Sequence, residues 1–204
     1  MDGIIFDVDG TLWDSTGIVA EAWQECCRKN GIQIRDLSAD RLKQLFGKTL
    51  PDIAAEIFSD ETKERQLELI DACCEAEHEA LRRQCAPLYP QVPEVLRKMS
   101  ERMPVFIVSN CQAGYIEVFL EATGLGGFIT DHLCPGDTGE AKAANIRRIV
   151  ERYGLRAPAY VGDTDGDHAA CKEAGVPFIF AEYGFGKTEL PDHTIRQPVD
   201  LLAL

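Results

Sequence analysis

Several short apolar runs that end beside polar or acidic residues constrain the fold more than any other feature of this sequence. The runs are residues 3–7, 105–108, 159–161 and 178–180, with a weaker one at 128–130. They show no alternation of apolar and polar residues, which is typical of strands buried on both faces of a parallel sheet.

Helical patterns lie between these runs, at residues 91–102, 115–123 and 143–153. Gly124, Gly154 and Gly175 stand where C-terminal helix caps are expected. Alternating strands and helices predict βαβ units, and therefore an α/β fold: a Rossmann-like parallel sheet with helices on both faces. In such sheets ligands bind at the carboxyl ends of the strands.

One stretch interrupts the alternation. Between Ser15 and Gln84 only helical patterns occur, at residues 18–29, 41–45, 52–58 and 62–83. Gly47 and Pro51 bracket a helix–helix turn inside this stretch. We therefore predict an inserted all-helical domain at residues 15–85 and a core made of residues 1–14 and 86–204.

The formal net charge of −13 bears on the partners of the protein. An acidic chain is a poor match for nucleic acid or for an anionic membrane surface, so neither is expected as a partner. The eight cysteines show no metal-binding spacing, and no leader segment is recognisable. We expect reduced thiols and a cytoplasmic location.

The segment Asp7-Val8-Asp9-Gly10-Thr11 carries the strongest chemical indication. Two carboxylates at positions i and i+2 of a strand face the same side, and at a carboxyl end they face the ligand crevice. Acids this close repel each other, so a bound cation is the natural compensation. One acid could attack phosphorus, because aspartate is an established covalent nucleophile, while the other moves protons.

Three further segments lie just after strands or at helix starts. Ser109 and Asn110 follow the run 105–108 and could hold phosphate oxygens, although both types also cap helices. Lys142 opens a helix and could neutralise both a phosphate and Asp7. Asp163 and Asp167, after the run 159–161, provide the oxygen ligands that Mg²⁺ takes. Together these groups match the needs of metal-assisted phosphoryl transfer.

The order of these motifs resembles the haloacid dehalogenase-like (HAD) superfamily of hydrolases over nearly the whole chain. The segment 7–12 is similar to the first motif of that superfamily, DxDGT, and Ser109 and Lys142 match the second and third motifs. The segment 162–167 matches the fourth motif, and the helical insertion resembles a C1 cap. The closest branch is that of phosphoglycolate phosphatase and β-phosphoglucomutase, with Gln91 where its YPGV segment has glycine.

The resemblance implies a role for each matched residue. Asp7 would attack phosphorus and bind Mg²⁺, and Asp9 would act as general acid and base and bind the metal through its backbone carbonyl. Asp163 would be the third metal ligand, with Asp167 at or near the metal. The remaining assignments are loop support by Thr11, phosphate binding by Ser109, Asn110 and Lys142, and substrate specificity at Gly47 and Lys48.

The sequence therefore predicts a Mg²⁺-dependent phosphatase that hydrolyses a small phosphorylated metabolite through an aspartyl-phosphate. A β-phosphoglucomutase-like phosphomutase acting on a sugar phosphate remains an alternative, because both reactions use the same intermediate. A non-enzymatic phosphoacceptor domain is a more distant alternative, since such domains are shorter and have no cap. The identity of the metabolite stays open, as does the choice between monomer and homodimer.

Overall fold

The structure, a computed structural model, describes all 204 residues and has a single six-stranded sheet at its centre. The strands are β1 (Gly3–Phe6), β2 (Val105–Val108), β3 (Asp131–Leu133), β4 (Pro158–Gly162), β5 (Phe178–Ala181) and β6 (His193–Ile195). All neighbouring strands are parallel, in the order β3-β2-β1-β4-β5-β6. The predicted α/β fold with a Rossmann-like parallel sheet is confirmed.

Nine α-helices surround and extend the sheet. They are α1 (Thr16–Lys29), α2 (Ala39–Leu45), α3 (Leu50–Ile57), α4 (Lys63–Arg83), α5 (Val92–Ser100), α6 (Tyr115–Thr123), α7 (Pro135–Thr138), α8 (Lys142–Tyr153) and α9 (Asp165–Ala174). Gly124, Gly154 and Gly175 cap α6, α8 and α9 in the left-handed conformation, as the sequence predicted. None of these helices combines the length and the apolar character that a membrane-spanning segment requires.

The side chains of each strand point alternately to the two faces of the sheet, and each face carries its own apolar core. Ile4 and Phe6 of β1 belong to the larger core, and Ile5 belongs to the smaller one. This is the period of two that a pleated strand imposes. The smaller core includes Ile146 of α8 and Cys171 of α9, whereas the larger core continues into α5, α6 and the helical insertion.

Residues 15–85 contain α1 to α4 and no strand. The chain leaves the core and returns to it at one place, because Trp13 pairs with Leu88 and the amide of Tyr89 donates to the Leu12 carbonyl at 3.0 Å. This geometry is compatible with the predicted division into core and cap domain, which we retain as a proposal.

Two edge strands differ from the sequence-based expectation. The weak run at 128–130 is not a strand: residues Gly126–Phe128 form a 3₁₀ turn, and β3 begins only at Asp131. The sequence did not indicate β6 either. Both are three-residue edge strands with exposed or half-exposed polar residues, so they lack the continuous apolar run that marks a buried strand.

Candidate active site

The strand order decides which loops meet. Since β1 lies between β2 and β4, the residues that follow these three strands share the carboxyl edge of the sheet. Asp7 follows β1, Ser109 follows β2 and Asp163 follows β4. The structure therefore brings the first, second and fourth sequence motifs together.

The loop after β1 is wound tightly around a single carbonyl. The amides of Thr11, Leu12 and Trp13 all donate to the Val8 carbonyl oxygen, at 3.2, 2.8 and 3.3 Å. Gly10 has a φ of +80°, and a Cβ added there would lie 2.2 Å from Oδ2 of Asp163. Glycine at position 10 thus permits the first and fourth motif loops to touch.

Asp9 is held by one of its two carboxylate oxygens. Trp13 Nε1, Ser15 Oγ and Tyr115 Oη donate to Oδ1 at 3.0, 2.5 and 2.9 Å. Burial raises the pKa of Asp9 to about 7, although the donors from Ser15 and Tyr115 act in the opposite direction. A carboxyl with such a pKa can give and take a proton near neutral pH, which is the requirement for general acid and base catalysis.

Lys142 forms a buried ion-pair bridge between two acids. Its Nζ lies 3.0 Å from Oδ1 of Asp7 and 2.5 Å from Oδ1 of Asp167. Burial by itself would lower the pKa of Lys142, but the charges of Asp167 and Asp7 hold that pKa above its ordinary value. Burial raises the pKa of Asp7, and the Lys142 charge opposes that rise. The Lys142 charge thus favours the carboxylate form of Asp7 against the effect of burial.

Asp163 has one oxygen engaged and one free. Oδ2 accepts from the amides of Phe185 at 2.7 Å and Gly186 at 3.4 Å, whereas the buried Oδ1 has no hydrogen-bond partner. Burial and the neighbouring charges of Asp167 and Asp7 raise the pKa of Asp163 well above its usual range. An unpartnered buried carboxylate oxygen among other acids is a fitting position for a hard cation.

Asp7, Asp163 and Asp167 offer carboxylate oxygens that all lie within 4.8 Å of one another. Asp167 differs from the other two because both of its oxygens are occupied. Oδ1 accepts from Lys142, and Oδ2 accepts from the amide and the hydroxyl of Thr164, at 3.1 and 2.7 Å, in a capping box at the start of α9. Asp167 is thus tied into the start of α9 and to Lys142.

A small cavity of about 30 Å³ lies between this edge of the sheet and the helical insertion. The lining residues are Asp7, Asp9, Trp23, Phe46, Gly47, Leu50, Ile53, Glu77, Ser109, Asn110, Cys111, Gln112 and Tyr115.

Of the predicted site residues outside the acid cluster, Gly47, Ser109 and Asn110 line this cavity. Thr11 is buried below it, and its carbonyl accepts a hydrogen bond from Tyr183 Oη at 2.9 Å. Lys48 does not line this cavity, and its assignment to substrate specificity remains a prediction. Its Nζ forms an ion pair with Glu56 on the exposed side of α3, where both charges remain partly hydrated.

Several residues of the site were not assigned from the sequence. Trp13, Ser15 and Tyr115 donate to Asp9; Trp13 and Ser15 lie four and six positions away in the same loop region, whereas Tyr115 lies 106 positions away and has no local signal. Three other residues of the site could have been recognised from the sequence. Gly184 and Gly186 after β5 mark a close backbone approach, and Glu77 is an acid within the apolar stripe of α4.

Fold and site together define an α/β protein with a carboxylate-rich centre at the carboxyl edge of a parallel sheet. The family model for the haloacid dehalogenase-like hydrolases matches residues 4–181, and the chain belongs to that family. The chain is 28% identical to the phosphoglycolate phosphatase of Aquifex aeolicus (strain VF5), an alignment that covers 98% of this chain and 95% of the relative. It is also 28% identical to the phosphoglycolate phosphatase of Vibrio vulnificus (strain CMCP6), over 91% and 86% of the two chains.

Solved structures share the fold. A haloacid dehalogenase-like family hydrolase from Streptococcus pneumoniae superposes with a TM-score of 0.85 at 21% identity, covering 100% of this chain and 97% of the other. A predicted phosphoglycolate phosphatase from Haemophilus somnus 129pt superposes with a TM-score of 0.84 at 20% identity, with the same coverage. At these identities the likeness establishes the fold of the whole chain.

Proposed function

We propose that the protein is a Mg²⁺-dependent phosphatase that hydrolyses a small phosphomonoester through an aspartyl-phosphate on Asp7. The family and the phosphoglycolate phosphatase relatives make it a phosphoric monoester hydrolase. The observation that carries the proposed mechanism is the meeting of four residues: Asp7 and Asp9 line the cavity, and Lys142 and Asp163 contact the segment that bears them. Each provides a different group that phosphoryl transfer needs.

The residues of the site fit a magnesium ion. Asp7, the backbone carbonyl of Asp9 and the free Oδ1 of Asp163 would hold it, all of them oxygen ligands. When bound, the ion supplies positive charge that offsets the phosphate and the clustered carboxylates. Asp167 would act through Lys142 and Thr164, because its own oxygens are already engaged.

In the first half-reaction, an Asp7 carboxylate oxygen attacks phosphorus and the bond from phosphorus to the ester oxygen breaks. Asp9, in its protonated form, gives its proton to the departing oxygen. In the second half-reaction, the Asp9 carboxylate takes a proton from water as that water attacks the aspartyl-phosphate, which releases inorganic phosphate and restores Asp7. Lys142, Ser109 and Asn110 would bind phosphate oxygens meanwhile.

A helical cap over this edge would exclude bulk water during turnover, which favours a small metabolite over a protein substrate. Phosphoglycolate, which is named for the relatives, is one candidate substrate. Whether this chain shares it depends on the side chains that line the cavity. A cytoplasmic location remains our expectation.

The proposal is tested by measuring release of inorganic phosphate from p-nitrophenyl phosphate with and without Mg²⁺. We expect metal-dependent turnover by the wild type and a loss of at least about a thousandfold in Asp7→Asn. Asp192→Asn is the control, because that residue lies outside the cavity. Turnover that survives Asp7→Asn would refute the nucleophile. A requirement for a bisphosphate activator would point instead to the phosphomutase alternative.

A further inference from the structure

Glu77 is a buried acid of the helical insertion that the proposed mechanism does not use. It lies on α4 among Leu69, Ile70, Cys73, Cys74 and Leu81, and is only 3% exposed. Its side chain lines the same cavity as Asp7 and Asp9. Burying an acid in an apolar stripe costs free energy, so groups that offset this cost are expected around the Glu77 carboxylate.

The partners of Glu77 are neutral. Trp23 Nε1 donates to Oε2 at 2.6 Å, and Gln112 Nε2 donates to Oε1. No lysine, arginine or histidine forms an ion pair with the Glu77 carboxylate. Burial raises its pKa to about 8, only partly opposed by the bond from Gln112. The site thus lacks a counter-charge of its own.

The cavity as a whole has the same character. Three of its lining residues are acids, and none is a lysine, arginine or histidine. The remainder of its cap side is apolar, formed by Trp23, Phe46, Leu50 and Ile53. A phosphate would lie close to Lys142 beside Asp7, but a second anionic group on the same substrate would meet Glu77 and no cation.

We propose that Glu77 determines substrate specificity by accepting a hydrogen bond from a donor group, a hydroxyl or an ammonium, on the non-phosphate part of the substrate. The preferred substrate is therefore a small phosphomonoester with a short carbon skeleton, a hydrogen-bond donor and no second anionic group. Phosphoglycolate, which carries a carboxylate, falls outside this class. The inference rests on the proposed phosphatase function and specifies its substrate.

Four phosphomonoesters of nearly equal length separate the possibilities: 2-hydroxyethyl phosphate, 2-aminoethyl phosphate, ethyl phosphate and 2-phosphoglycolate. At pH 9, where Glu77 with its pKa of about 8 is ionised, we expect kcat/KM for the hydroxyl or the ammonium compound to exceed that for ethyl phosphate by about tenfold or more, since one hydrogen bond to a charged group has that effect. We expect 2-phosphoglycolate to rank last. Comparison of the hydroxyl compound with the ammonium compound also identifies which donor the site prefers.

The variant Glu77→Gln should bring the ratio of kcat/KM between the donor substrate and ethyl phosphate close to one. Glu75→Gln, on the exposed side of the same helix, should leave that ratio at the wild-type value. A role of Glu77 in merely anchoring Trp23 and Gln112 would lower turnover of all four compounds without changing the ratio. Thermal unfolding of both variants checks that they fold. If a variant does not fold, the order of kcat/KM of the wild type for the four compounds still tests the proposal.

Preference of the wild type for 2-phosphoglycolate, or a ratio unchanged by Glu77→Gln, would overturn the inference while leaving the phosphatase intact. Turnover of p-nitrophenyl phosphate but of none of the four compounds would also overturn it. By contrast, activity that persists in Asp7→Asn would refute the proposed function itself. The two failures therefore give different results in the same set of assays.

Discussion

Asn110 donates a hydrogen bond from Nδ2 to the carbonyl oxygen of Gly47 at 2.9 Å, which joins the loop after β2 to the loop between α2 and α3. Gly47 also packs against the Thr164 side chain of the fourth motif, and it has a φ of +90°. One residue of the helical insertion thus touches two loops of the core. Gly47 and Asn110 both line the cavity that Asp7 and Asp9 also line.

The variant Gly47→Ala should disturb the contact between the insertion and the core. Its Cβ would lie 3.1 Å from Cγ2 of Thr164, so the Thr164 side chain or the Gly47 loop would have to shift by a few tenths of an ångström, and the φ of +90° would strain the new residue. We expect kcat/KM to fall by about tenfold, because a disturbed contact admits water and misplaces the substrate. Gly31→Ala is the matched control: its φ of +72° is similar, but nothing lies within 4 Å of the added Cβ. Equal losses of activity in the two variants would contradict a role of this contact.

Removing the Lys142 charge should destabilise the protein strongly. In Lys142→Met, Asp7 and Asp167 would remain buried without their cation, so we expect the free energy of unfolding to fall by about 3–5 kcal/mol. Lys98→Met removes an exposed ion pair with Glu94 and should cost less than about 1 kcal/mol. Urea unfolding of the two variants measures the difference, and similar values would mean that the buried bridge contributes little.

The Tyr115 hydroxyl should matter for turnover more than for binding. Tyr115→Phe removes one of three donors to Oδ1 of Asp9, and we expect kcat to drop by roughly tenfold with little change in KM. Tyr153→Phe removes a comparable bond to Asp131 on the exposed surface and serves as the control. A larger effect on KM than on kcat would place Tyr115 in substrate binding instead.

Stability should respond to pH through Glu77. Its pKa rises from 4.5 to about 8 on folding, chiefly because of burial, so the native state holds a proton that the unfolded state releases in this window. The stabilising contribution is complete below pH 4.5 and is lost as the pH approaches 8. The stability of Glu77→Gln relative to wild type should therefore increase as the pH rises from 4.5 to 8, by up to about a few kcal/mol. A constant difference between pH 4.5 and 8 would rule out this titration.

Gln91 occupies a position that favours glycine. It stands at the start of α5 with a φ of 66°, in the left-handed region where a side chain is strained. We expect Gln91→Gly to raise the free energy of unfolding by roughly 0.5–1 kcal/mol. Gln44→Gly, at an exposed position inside α2, should lower it by a similar amount. Chemical denaturation curves for both variants provide the comparison.

Sequence and structure agree best where a residue sits next to a strand end. Asp7, Ser109 and Asp163 follow apolar runs directly, and the rule for ligand positions in parallel sheets then predicts that they meet. The position of the Lys48 side chain, by contrast, could not be read from the sequence. Lys48 lies beside Gly47 in sequence, yet its side chain points to Glu56 and not to the cavity. Local sequence does not determine which way a loop side chain points.

Periodicity and short motifs were enough to predict the parallel sheet, the all-helical character of residues 15–85 and the family. The bond from Tyr115 to Asp9, the backbone amides that hold Asp163 and the position of Glu77 at the cavity became apparent only in the folded chain. The physical reason is distance along the chain. Tyr115 lies 106 positions from Asp9, so the contact arises from packing of separate elements and leaves no local pattern.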